Sequence, residues 1–155
     1  MNKNNAEMGQ AVDRAWAAGF VDGEGCITVV KQAYQANKDG SQRSPTLRFK
    51  LMVVQNCWST LKRLQTILDE KSYLNQVPVS VHHNKRLYQL QYDGFHAYEA
   101  AKKLEPFLHR KRHHMSVVHE LFSDGKLGKK PGRKGWDAET LLTREKLVRR
   151  LKKMN

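Results

Sequence analysis

Val12, Trp16 and Phe20 recur every four positions, which predicts a helix over residues 12–21 with one large apolar face turned to the body of the protein. Another face of the same segment carries Ala15, Ala18, Gly19 and Asp22, all short side chains that suit close approach by a second helix. Gly23 and Gly25 end the segment, and the period changes from helical to alternating. Leu47, Phe49, Leu51 and Val53 alternate with Thr46, Arg48, Lys50 and Met52, predicting a strand over residues 46–55 with one apolar and one mostly polar face. Ile27 and Val29, followed by Lys31, give a weaker strand pattern before a polar loop over residues 37–45. Val77, Val79 and Val81 alternate with Gln76, Pro78, Ser80 and His82, and Tyr88, Leu90 and Tyr92 alternate with Gln89 and Gln91. These two runs are expected to form a second hairpin that turns at residues 83–85.

Between the hairpins, Leu61, Leu64 and Leu68 have helical spacing behind a cap at Asn56 or Ser59. Further helices are expected over residues 95–104 and 111–122. The order helix, two strands, helix, two strands, helices describes an α+β fold, an antiparallel sheet with helices covering one face. Residues 125–135 form a glycine-punctuated basic loop, after which Asp137 is placed to cap a last helix, with Trp136 and Leu141 as its hydrophobic staple. Leu141, Leu147, Val148 and Leu151 line that helix, and Arg149, Arg150, Lys152 and Lys153 lie near its C-terminus, where cations suit the dipole. At 155 residues one domain is expected, with residues 1–124 as the core and 125–155 belonging to the same unit.

Charge turns this architecture toward a class of partner. The chain has 28 lysines and arginines against 15 acidic residues, a net charge of +13 and a pI near 9.9, which favours polyanions. Nucleic acid leads and an anionic membrane comes second. Cys26 and Cys57 lie far apart without metal-ligand spacing and are expected to be buried, reduced thiols. No run is apolar and long enough to span a membrane, and the first ten residues lack a signal-like apolar stretch. An intracellular location, cytoplasm or organelle matrix, is the expectation.

If helices cover the apolar side of the sheet, the other side is open, and it is expected to carry Thr28, Gln32, Tyr34, Thr46, Arg48, Lys50, Asn56, Gln76, Ser80, His82, Gln89 and Gln91. Arginine, lysine, glutamine and asparagine have the forks and amides that match base edges in the major groove. A ten-residue strand spans roughly 33 Å, close to one duplex turn. Lys85 and Arg86 beside the second turn join this surface, and Lys129, Lys130, Arg133 and Lys134 of the basic loop are placed to meet phosphates.

Residues 17–25, reading AAGFVDGEG, resemble the signature nonapeptide of the LAGLIDADG homing endonucleases, with both outer glycines, the aspartate and an acidic penultimate residue in place. The resemblance continues through Val53-Val54-Gln55 and through residues 104–111, LEPFLHRK, and covers roughly residues 12–122. It implies the αββαββα fold with a saddle-shaped sheet on double-stranded DNA. One nonapeptide implies a homodimer whose motif helices cross at the twofold axis, which assigns Ala15, Ala18, Gly19 and Asp22 to the seam, Asp22 also bracing the helix end. A twofold dimer presents two identical reading sheets and calls for a long palindromic or nearly palindromic site.

The resemblance further implies metal-dependent phosphodiester hydrolysis. Glu24, with the backbone carbonyl of Gly23, takes the metal-binding role, and Gln55 and Lys111 complete the catalytic set. The ion is expected to be Mg²⁺, with Mn²⁺ or Ca²⁺ as substitutes for binding, because carboxylate oxygens are hard ligands. Where some relatives carry an arginine, this chain has Ser59, with Lys62 or Arg63 one helical turn further as the compensating charge. His109, His113 and His114 read as solvated or phosphate-facing groups. The implied activity is a sequence-specific DNA endonuclease that leaves 3′ overhangs and supports intron or intein mobility. The alternatives are an intron-RNA-binding maturase and a catalytically silent DNA-binding regulator on the same scaffold.

Overall fold

The structure is a computed structural model that describes residues 3–32, 46–78, 85–123 and 135–154. Helix α1 (Lys3–Glu24) runs without a linker into β1 (Gly25–Gln32), followed by β2 (Thr46–Gln55), α2 (Trp58–Leu68), β3 (Ser72–Gln76), β4 (Tyr88–Asp93) and α3 (Gly94–Leu104). A 3-10 turn at Glu105–Phe107, α4 (Arg112–Ser123) and α5 (Ala138–Lys153) complete the chain. This is the expected α+β architecture, an αββαββα core with additional C-terminal helices. The four strands pair antiparallel in the order β1-β2-β4-β3.

The core lies between one face of the sheet and the helices. Ile27, Val29, Phe49, Leu51, Val53, Leu90 and Tyr92 of the sheet are buried against Leu61, Leu64 and Leu68 of α2 and Ala97, Ala100, Ala101 and Leu104 of α3. Each buried leucine or phenylalanine contributes about 1.5–3 kcal/mol through the apolar surface it removes from water. The α3 alanines allow that helix to lie close on β2 and β4. Asp69 ends α2 in the left-handed region at φ 45°, and Lys103 Nζ of α3 satisfies the exposed helix end by donating to the Leu68 carbonyl at 2.6 Å. Asp137 caps α5 as its position predicts, accepting the Thr140 N–H at 2.8 Å. Val148 and Leu151 then bury against the same core, and Arg144 lies over the Trp136 ring at 4.5 Å.

Several local expectations change. α1 begins well before residue 12, and Val12 is 64 % exposed, not an anchor. Ala17, Ala18 and Val21 seat α1 most deeply, while Trp16 and Phe20, stacked on each other at 5.6 Å, pack half-buried against the same core as expected. Helical spacing identifies a face but not which neighbour covers it. The α2 cap position is Cys57, not Asn56 or Ser59. Strand β3 (Ser72–Gln76) begins upstream of the valine run and forms the edge of the sheet. Ser72, Leu74 and Gln76 instead pair with Tyr92, Leu90 and Tyr88, and Val77 adds one N–H bond to the Leu87 carbonyl at 2.8 Å. Neither cysteine is buried as expected: Cys26 is half-buried and Cys57 exposed. Val79, Val81, the 37–45 loop and most of the basic loop lie outside the described residues.

Gly25 makes the direct helix-to-strand junction possible. A Cβ there would stand 2.7 Å from the Val21 carbonyl oxygen and 2.8 Å from Val21 Cγ1, and the first of these is backbone that cannot rotate away. Gly25→Ala is therefore expected to destabilise the protein by about 1–3 kcal/mol, the usual cost of forcing atoms into packed space. Urea denaturation measures it, and an unchanged midpoint would show that the junction has slack.

Candidate functional site

The end of α1 is fixed by a carboxylate that reaches a distant segment of chain. Asp22 is 8 % exposed and accepts the backbone N–H groups of His109 at 2.6 Å, Arg110 at 3.2 Å and Lys111 at 2.9 Å. That segment is delivered by the 3-10 turn: Leu108 is buried, and its N–H closes the turn on the Leu104 and Glu105 carbonyls. Burial pushes the Asp22 carboxyl upward, but the three N–H donors and the nearby Lys111 cation outweigh it and hold the group below its ordinary value. Lys111 Nζ returns the contact, donating to the Asp22 carbonyl at 2.7 Å. A cation there also meets the negative end of the α1 dipole. Burial lowers the Lys111 amine from its ordinary value, with Asp22 opposing that change.

The remaining candidate residues lie at the same corner. Gly25 pairs with Val53, so Glu24, one residue before Gly25, and Gln55, two residues after Val53, occupy the same end of the β1–β2 ladder. Glu24 is exposed. Gln55 is half-buried, and its Oε1 accepts the Asn56 N–H at 3.1 Å. Among the described residues no three histidine, cysteine, aspartate or glutamate side chains gather into a metal cage. A single exposed carboxylate nevertheless fits Mg²⁺, which keeps several waters and commonly takes one or two carboxylates together with substrate phosphate oxygens.

The residues expected to compensate for Ser59 have partners of their own. Arg63 is committed to Asp13 at 3.2 Å and to the Trp16 ring at 4.3 Å, and Lys62 donates to Gln65 at 2.9 Å. Ser59 itself meets Cys57 Sγ at 3.2 Å, and its hydroxyl, with Thr60, lowers that thiol to about 7. Of the three histidines, His109 and His113 are exposed but His114 is buried in α4.

The helix face expected at a seam divides in two. Ala18 and Asp22 are taken up inside the protomer, so they are not available to a second copy. Ala15 and Gly19 remain exposed, in a line with exposed Met8, Val12 and Gly23. A Cβ added at Gly19 or Gly23 would meet nothing within 4 Å.

Strand register defines the open face. Thr28 lies opposite Lys50, Val30 opposite Arg48 and Gln32 opposite Thr46, while Gln89 and Gln91 lie opposite Val54 and Met52. Thr28, Gln32, Thr46, Arg48, Lys50, Gln89 and Gln91 thus share one side. Gln76 does not, because it shares the covered side with Leu74, although at the strand end it is exposed. Asn56, Lys85 and Arg86 are exposed beside the sheet. Tyr34, Ser80, His82, Lys129, Lys130, Arg133 and Lys134 lie outside the described residues. The open side also holds Val30, Met52, Val54, Tyr73 and Asn75, which an expectation of polar readers passed over; their period-two placement was the available signal.

Asp93 was missed as well. It occupies the N-cap position of α3, where an aspartate usually gains about 1 kcal/mol by accepting a helix N–H. It makes no such side-chain bond. Its carboxylate turns to the open face, accepting from Gln91 at 3.0 Å and standing 3.8 Å from Lys50 Nζ.

Solved structures share this arrangement of elements. I-CvuI in complex with its target in the presence of calcium superposes with a TM-score of 0.68 at 22 % identity, over 96 % of this chain and 85 % of that one. An archaeal intron-encoded homing endonuclease complexed with DNA gives 0.65 at 16 % identity, over 94 % and 85 % of the two chains. I-TnaI, a homing endonuclease, gives 0.54 at 20 %, over 91 % and 94 %. Comparison with curated proteins finds no match. The sequence model of the LAGLIDADG endonucleases matches residues 17–117, from the middle of α1 into α4. With the last turns of the motif helix, both strand pairs and the Asp22-braced turn inside that match, the chain belongs to the LAGLIDADG endonuclease family.

Proposed function

We propose that the protein is a homing endonuclease that binds double-stranded DNA as a homodimer and hydrolyses both strands at a long palindromic or nearly palindromic site. The observation that carries this reading is the exposed Glu24 at the end of α1, in the same corner as Gln55 and a Lys111 locked in place by Asp22. A divalent ion, Mg²⁺ in this reading, would be held by Glu24 and the Gly23 carbonyl and would neutralise phosphate charge and activate water. Lys111 has three N–H donors, of which one goes to Asp22, and another can stabilise negative charge developing on a phosphoryl oxygen. The Gln55 amide is placed to orient a water at the same corner. DNA-bound relatives with this fold support the open sheet as the reading surface. Cleavage leaving 3′ overhangs, in the service of intron or intein mobility, completes the proposal.

The test is a randomised library of palindromic duplexes incubated with the protein in Mg²⁺. Recovery of double-strand breaks at a defined sequence is the expected result. Binding to structured intron RNA with no DNA cleavage would replace the proposal with the maturase, and sequence-selective DNA binding without cleavage would replace it with the silent regulator.

The homodimer part has its own test. Met8, Val12, Ala15, Gly19 and Gly23 make an exposed stripe on α1, and small residues in such a stripe let two helices approach closely. Gly19→Leu meets no obstacle inside the protomer, so its fold should persist while the seam is wedged apart. Sedimentation is expected to show a dimer for the wild type and a folded monomer for the variant. A wild-type monomer that still cuts both strands would refute the seam.

A further inference from the structure

A chain of side-chain hydrogen bonds on the open face has a single direction. Gln89 Nε2 donates to Gln91 Oε1 at 2.9 Å, and Gln91 Nε2 donates to both Asp93 oxygens at 3.0 Å. Gln89 Nε2 also donates to Met52 Sδ on the neighbouring strand at 3.6 Å. A glutamine amide is ordinarily ambiguous, since a half-turn exchanges its donor and acceptor ends. Here the carboxylate removes the ambiguity. Asp93 only accepts, so Gln91 must turn its NH₂ toward it and its carbonyl toward Gln89, and Gln89 must answer with its own NH₂. Both amide hydrogens of Gln89 are thereby committed, to Gln91 and Met52, and no described residue donates to its Oε1. Toward a ligand, Gln89 is an acceptor alone.

We propose that Asp93 is a specificity-determining residue: by polarising the Gln91–Gln89 relay it makes Gln89 select an amino-bearing base, adenine or cytosine, over guanine or thymine. The inference rests on the reading of the open face as the DNA surface. In the major groove adenine N6 and cytosine N4 are donors, whereas guanine O6 and thymine O4 are acceptors. An unrestrained glutamine can turn over to meet either kind; one anchored through Asp93 cannot. Every base pair carries one amino base and one keto base, so the relay distinguishes which strand carries the amino group, not A·T from G·C. In a twofold dimer the same choice is made at one position in each half-site. The absence of a side-chain cap bond at Asp93 fits this use, because the carboxylate serves the sheet instead of the helix it precedes.

The experiment is selection of binders from fully randomised duplex DNA in calcium, with sequencing of the retained pool. Wild type is expected to enrich adenine and cytosine over guanine and thymine by about tenfold at one position per half-site, the size of a single good base contact. Asp93→Asn gives Gln91 a partner that can donate or accept, and the preference at that position should fall to about twofold or less while the other positions keep theirs. Adding Gln91→Glu to Asp93→Asn restores an obligate acceptor beside Gln89, and the amino preference should return. A merely structural role for Asp93 would not produce loss followed by rescue at one base position. The relay is overturned if wild type selects a site lacking such a position, if Asp93→Asn keeps the wild-type preference, or if the double variant melts like wild type without restoring it. Recovery of no defined sequence by wild type would overturn the DNA-reading proposal itself, a different result from any of these.

Discussion

Glu24→Gln is expected to lower the DNA cleavage rate on the order of a thousandfold while leaving the protein folded. The glutamate is exposed and ends a helix that is held from within by Ala17, Ala18, Val21 and Asp22, so an isosteric amide disturbs little packing. The amide is, however, a much poorer ligand for a hard cation, and losing metal-assisted charge stabilisation removes several kcal/mol from the transition state. DNA binding should move in the opposite direction. Without metal, a carboxylate facing a phosphate repels it, so the variant is expected to bind DNA as tightly as wild type or more tightly in a chelating buffer. Single-turnover cleavage and equilibrium binding, measured on the same duplex, separate the two effects. A variant that cuts at the wild-type rate would remove Glu24 from the mechanism.

Asp22→Asn should have the largest effect on stability of any conservative change at this corner. Asparagine keeps the shape but presents an NH₂ to an array that already consists of donors, stranding at least one of the His109, Arg110 and Lys111 N–H groups in a buried setting. Lost and unsatisfied bonds of this kind cost about 2–3 kcal/mol together, or a melting temperature lower by roughly 5–10 °C. The effect is pH-dependent with a definite sign. The folded-state Asp22 carboxyl lies below its ordinary value of 3.8, so its contribution is present above that value and is lost as the pH falls through the lower, folded-state one. Wild type and variant should therefore differ most near neutral pH and converge in strong acid. Urea denaturation across that range checks it, and a gap independent of pH would show that the charge is not what holds the turn.

The alternation in residues 46–55 made β2 and its buried face legible, because a half-buried strand with a two-residue period has few other readings. The helix-strand order followed, and with it the fold. Boundaries were less legible where two physical signals compete. Ser72–Gln76 has no apolar period of its own, so the start of β3 was set by the partners offered by Tyr88, Leu90 and Tyr92 and not by local pattern. Val12 shows another limit: a periodic apolar residue belongs equally well to a core or to an exposed seam, and only the packing of neighbouring elements distinguishes them.

At the candidate site, the resemblance named Glu24, Gln55 and Lys111 but not the bond from Lys111 to the end of α1, since nothing local in the sequence reports a contact over 89 positions. The fate of Arg63 was equally hidden. Its charge suggested a replacement at the position near Ser59, yet Asp13 and Trp16, far away in sequence, hold it.

The bonds between Asp22 and Lys111 also tie together distant parts of the chain. Joining them closes a loop that encloses both hairpins and helices α2 and α3, and contacts so remote in sequence are costly in entropy and slow to form. The strands of the open sheet find their partners among nearer neighbours in sequence. On the proposed function, loosening the turn at residues 109–111 would leave the reading sheet intact but release Lys111, giving a protein that grips DNA and does no harm to it.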